Sequence, residues 1–111
     1  MSLISGVYDE QTWWGAVTMD GKRLTPRRSQ LVSMHSPDGF SWGYSGSGPT
    51  QLALAILLEA GVPEADATAL CFRFRDEFIA RLPRASFVLT VNIEEWLGPL
   101  TGAGKREAAG R

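Results

Sequence analysis

A chain of 111 residues, 44% hydrophobic and formally −1 at neutral pH, is one domain's length of sequence with enough apolar material to build its own core. The near-neutral balance argues against gripping nucleic acid by bulk charge, and equally against a uniformly acidic mimic of DNA. One cysteine, Cys71, excludes an internal disulfide, and with the single histidine, His35, it cannot close a structural zinc site of the usual ligand types.

Residues 1–7 have no basic n-region and too short an apolar run for a signal peptide. The longest apolar run, 52–58, is far below a membrane span. We therefore expect a cytoplasmic protein with no membrane partner. Residues 12–19, rich in aromatic and β-branched side chains, predict a strand that places the adjacent Trp13 and Trp14 on opposite faces. Asp20-Gly21 is a hairpin signal, residues 22–25 are the return strand, and Pro26 ends it. Residues 27–34 carry too weak a pattern to decide between helix and strand. Phe40, Trp42 and Tyr44 alternate with smaller residues, which predicts a strand with the three aromatics on one face.

The second half reads as helical. Pro49 suits a first helical position, residues 51–60 are apolar almost all round and should form the most buried element, and Gly61 is a natural stop. A second helix from about Pro63 to Leu82 has the stripe Ala67, Leu70, Cys71, Phe74, Phe78 and Leu82, with Phe72 and Ile79 off it. A short strand at 87–91 and a capped helix at 93–97, with Asn92 as the cap, follow. Residues 1–98 are then one domain with eight basic and eleven acidic side chains, and 99–111 a flexible tail of charge +2 that is dispensable for folding.

The most distinctive local feature is the glycine-rich run from Gly43 to Gly48 between strand and helix. Its glycine spacing matches a P-loop, but Pro49 stands where the phosphate-binding Lys belongs, so a tight turn is the simpler reading. Ser47 or Gly48 should cap the helix, and Gly46 or Gly48 should occupy a backbone conformation that resists a Cβ. His35 near Asp38 and several serines makes no recognisable nucleophile arrangement, and Cys71 falls on a core stripe. Neither Asp76-Glu77 nor Glu94-Glu95 can converge on a substrate, since helical neighbours diverge. No catalytic residue, metal ligand set or cofactor site emerges.

The string His35-Ser36-Pro37, Gly39-Phe40, Trp42-Gly43-Tyr44, Gly46-Ser47-Gly48-Pro49 and Gln51 to Leu57 resembles an uncharacterised family of small bacterial proteins carried by phages, plasmids and integrated elements. The resemblance covers most of residues 7–98 and implies a context: small proteins of mobile elements counter host defence or serve replication and transfer. The expected fold is α+β, an antiparallel sheet of three to five strands on two main helices. The expected function is non-enzymatic inhibition of a host defence complex, of CRISPR or restriction type, by contact with a protein or ribonucleoprotein. Trp13 or Trp14 would serve as anchor, with Lys22, Arg23, Arg27 and Arg28 as contacts. The alternatives are a nucleic-acid-binding accessory protein that uses the same cations and tryptophans, and a small enzyme or ligand binder built on the glycine loop.

Overall fold

The computed structural model describes residues 1–12 and 14–100. Four strands form one antiparallel sheet in the order β3-β2-β1-β4, with β1 at Ser2–Tyr8, β2 at Gly15–Met19, β3 at Lys22–Leu24 and β4 at Phe87–Val91. The Asp20-Gly21 turn joins β2 to β3 with φ of +51° and +82°, the pair of left-handed residues a two-residue hairpin needs. One of the two inner strands, β1, is the element the sequence pattern does not announce. It alternates exposed Leu3 and Val7 with buried Ile4 and Gly6.

One sheet face is buried and built from Ile4, Val17, Met19, Leu24, Phe87 and Val91. The opposite face carries Leu3, Val7, Ala16, Arg23, Val88 and Thr90, all exposed. Against the buried face lies a single core that includes every residue of helix α2 (Ser47–Glu59) from Leu52 to Leu58. Helix α2 is buried all round because the sheet, helix α1 (Arg27–Val32) and helix α3 (Glu64–Phe74) enclose it. Its C-terminus is a Schellman turn: Gly61, at φ +91°, donates to Leu58 O and Val62 donates to Leu57 O, both at 3.0 Å.

Three local expectations change. Residues 39–44 form no strand; Phe40 makes only an isolated bridge to Gly15, and Trp42 instead turns into the core. Its indole N–H donates to Ala85 O at 2.7 Å, and its ring lies over Gly6 and Gly15, where any Cβ would collide with it. Helix α2 begins at Ser47 with Gly46 as cap, so Pro49 sits at the third helical position, still within the first turn where its missing N–H is tolerated. Helix α3 continues as a π turn over Arg75–Ile79, closed by Ala80 N–H to Arg75 O at 2.7 Å. The extra residue shifts the phase of the stripe, so Ile79 becomes fully buried, Phe78 only half-buried, and Phe72 stays 45% exposed.

The last helix, α4 (Ile93–Leu97), starts as the sequence predicts: the Asn92 side chain accepts from Glu95 N–H at 3.0 Å. Leu100 donates to Leu97 O at 2.8 Å, so the chain is still turning after α4. The remainder of the expected tail lies outside the described residues.

Candidate functional site

The four cations expected to make contacts gather on one corner of the molecule. Lys22 and Arg23 sit on β3, an edge strand, and after the two linking residues Thr25 and Pro26, Arg27 and Arg28 open α1; all four are exposed. The connection is short because Pro26 ends the strand and starts the helix, with φ −72° and ψ −23°. One carboxylate faces them. Glu59, at the end of α2, stands 3.6 Å from Lys22 Nζ and 3.7 Å from Arg28 Nη1, distances of loose surface pairs that hold little energy. Arg23 and Arg27 have no ion-pair partner among the described residues. A shallow cavity of about 90 Å³ lies between β3 and α2, lined by Arg23, Arg28, Ser29 and Glu59. On the other side of Lys22 a wider groove of about 480 Å³ carries Asp20, Glu59 and Glu94, so the sign of the surface changes across that lysine.

Trp14 is placed differently from expectation. Trp13 lies outside the described residues. Trp14 precedes β2 instead of lying within it, is half-buried, and rests its ring on Gly48 at the start of α2, 3.0 Å from where a Cβ would be. It stands at the end of β2 remote from the hairpin, about 17 Å along the chain from Met19, the residue opposite Lys22. Trp14 therefore lies outside the strand expected to hold it and is partly covered by the start of α2.

The glycine loop is filled by its own side chains. Ser41 Oγ and Tyr44 OH are 2.8 Å apart, the Tyr44 ring lies against Gly46, and Arg84 stacks over that ring at 4.9 Å. Ser45 donates to Asp76 at 3.1 Å. Asp76 also receives Arg75 Nε at 2.8 Å, and this hydrogen bond is the main cause holding its carboxyl below the usual range. Arg75 Nη1 in turn donates to Thr50 at 2.9 Å, inside the first turn of α2. Gly43, not Gly46 or Gly48, has the left-handed backbone, at φ +88°. Gly46 is extended, and Gly48 is helical but excludes a Cβ because Ser41 Oγ fills that space. The turn reading accounts for each of these glycines.

A buried polar node that residue type alone did not reveal lies behind the corner. The Gln51 side chain is fully buried. Its oxygen accepts from the backbone N–H of His35 and Ser36 at 2.7 and 2.8 Å, and its nitrogen donates to Ser29 Oγ at 2.9 Å and Ser33 O at 3.2 Å. Gln51 thus saturates its own hydrogen-bonding capacity and ties α1 and the following loop to α2. His35, half-buried, packs edge-on against Phe72 at 5.4 Å. Among the described residues no three His, Cys, Asp or Glu side chains group closely enough to hold a metal ion.

Residues 10–99 match the model of a family of unknown function (DUF6166). The chain belongs to that family. No curated protein and no solved structure matches it. The matched span contains both the cationic corner and the Gln51 node. It leaves out β1, although β1 is the strand that joins the β2–β3 hairpin to β4. Within residues 35–57, Phe40 and Trp42 enter the core, Gly43 and Gly46 shape the turn, and Gln51 closes the polar node. No helix among the described residues is long and apolar enough to cross a membrane.

Proposed function

We propose that the protein is a non-enzymatic binding protein of a mobile genetic element, which inhibits a host defence complex of CRISPR or restriction type by direct contact. The observation that carries this reading is the β3–α1 corner, where four of the seven residues from Lys22 to Arg28 are exposed cations and, among the described residues, Glu59 is the one carboxylate paired with them. On a chain of net charge −1 this is a local concentration of charge, suited to an acidic or phosphate-bearing face of a large assembly. Shared charge complementarity of this kind sets orientation and association rate, which is what an inhibitor competing for one face of a complex requires. The resemblance to proteins of phages and plasmids supports the same direction.

The nucleic-acid reading uses the same cations. It is weakened by Trp14, which is packed against Gly48 instead of standing beside the cations as a platform for bases. The test expresses the wild-type chain and a variant with Lys22, Arg23, Arg27 and Arg28 all changed to Ala in bacteria whose CRISPR or restriction system blocks a phage. The wild type should restore plaques and the variant should not. Failure of the wild type against both kinds of system rejects the reading. A gel shift with single- and double-stranded DNA and RNA at two salt concentrations separates the alternative, because tight, salt-sensitive binding of free nucleic acid belongs to it.

A further inference from the structure

The two edges of the sheet are built in opposite ways. The β3 edge is three residues long, carries Lys22 and Arg23, and is stopped by Pro26. Those are the features by which proteins prevent one edge strand from pairing with another. The β4 edge has none of them. Phe87-Val88-Leu89-Thr90-Val91 is five residues of uncharged, largely β-branched sequence without proline or glycine, and Val88 is 72% exposed.

The hydrogen-bonding direction of each β4 residue follows from its neighbour. Leu3 O accepts from Asp20 N–H at 2.8 Å and Asp9 N–H donates to Trp14 O at 3.1 Å, so the odd residues of β1 turn their backbone groups toward β2. The even residues then turn theirs toward β4, as Tyr8 N–H does in reaching Ser86 Oγ. Ile4 opposes Leu89, Gly6 opposes Phe87 and Ser2 opposes Val91, so these three β4 residues spend their backbone groups on β1. Val88 and Thr90 therefore direct their N–H and C=O groups away from the sheet, and among the described residues nothing pairs with them.

We propose that β4 is a self-pairing edge, and that its occupant is β4 of a second copy of this chain, joined antiparallel about a two-fold axis at Leu89. That register sets Val88 of one copy against Thr90 of the other. Each of the two pairs then exchanges both of its outward hydrogen bonds, and the two sheets become one of eight strands. The strand's flanks favour this occupant over an unrelated peptide. Exposed Arg81 and Arg84 precede β4, while exposed Glu94 and Glu95 follow it. Antiparallel self-pairing brings the basic flank of each copy to the acidic flank of the other, twice, whereas parallel pairing would set like charges together. No charge is opposed across the strand itself, because β4 has none. Pairing along one five-residue strand covers little surface, so the association belongs to the weak class and is concentration-dependent.

The experiment is sedimentation equilibrium of the full chain from micromolar to near-millimolar concentration, with backbone amide exchange by NMR at both ends of the series. The expected result is a mass rising toward that of two chains, with the amides of Val88 and Thr90 protected only at high concentration. Thr90→Pro removes an outward N–H that the monomer's own sheet does not use, and Val88→Lys charges an exposed position. Both variants should keep the circular dichroism of the wild type and stay at the mass of one chain. If Thr90→Pro does not fold, Val88→Lys and the exchange of the two wild-type amides decide. A wild-type chain of single mass throughout overturns the proposal. So does a dimer that survives in a folded variant, or one in which the Val88 and Thr90 amides stay unprotected.

Discussion

At the residue scale the side chain on which most neighbours depend is Gln51. It occupies an apolar helix yet is fully buried, and two backbone N–H groups outside that helix have it as their acceptor. Gln51→Ala removes the acceptor and leaves His35 and Ser36 with buried, unmet donors, each of which costs more than a surface hydrogen bond returns. The variant should lose about 3 kcal/mol in urea unfolding, and a loss within error of zero would mean that water or a backbone shift replaces the amide. His35 beside it makes stability depend on pH. Burial, and then the charge of Arg75, lower its pKa from the ordinary 6.5, so the folded chain disfavours the imidazolium. Between the folded value and 6.5 the unfolded chain binds more protons, so stability is full above 6.5 and declines as pH falls through the folded value. Melting temperatures from pH 7.5 down to 5 should drop in the wild type and drop less in His35→Asn. Asp76, whose carboxyl is also lowered, acts only below its ordinary 3.8 and so falls outside that window.

At the element scale the π turn decides which aromatic and aliphatic positions of α3 matter. The helical stripe treats Phe72 and Ile79 alike, as residues to one side of it. The extra residue in Arg75–Ile79 turns Ile79 wholly into the core and leaves Phe72 on the rim, against His35 and below the Arg75 guanidinium at 5.5 Å. Ile79→Ala should therefore cost about 2–5 kcal/mol, and Phe72→Ala under about 1 kcal/mol, in the same denaturation measurement. Equal losses would place both side chains in one environment and contradict the π turn. The aromatic cluster of Phe74, Phe78 and Trp96 on the far side of this turn depends on the same geometry, since Trp96 meets Phe74 edge-on at 5.1 Å.

At the scale of the whole molecule the sheet depends on a strand outside the family match. Without β1, the β2–β3 hairpin and β4 share no backbone hydrogen bonds, and Ile4 is lost from the core. A chain beginning at Asp9 is expected to show no cooperative unfolding transition by circular dichroism, because a two-stranded hairpin is not stable alone. A sigmoidal urea curve with a midpoint near the wild type's would refute this. The distribution of charge is also a property of the assembled molecule: the near-neutral chain becomes one surface with a cationic corner and an adjoining groove lined by Asp20, Glu59 and Glu94.

What the chain alone determined is local chemistry acting over a few residues. The Asp-Gly hairpin, the apolar run of α2 from Leu52 to Leu58 with its glycine stop, and the Asn92 cap were legible because a turn, a helix end or an apolar run depends on neighbours in sequence. The α+β class followed from those elements in order. Of the expected contact residues, the four cations could be read from the sequence as a charged run, and their gathering on one corner follows from the short turn at Pro26. Tertiary structure decided the rest. β1 alternates too weakly to be read alone and is a strand because two others pair with it. Trp42 leaves the expected strand because two glycines on separate strands, Gly6 and Gly15, make room for its ring. Gln51 is a structural residue only because α1 and the loop after it bring four partners from positions far along the chain, and such long-range contacts leave no periodic trace in sequence.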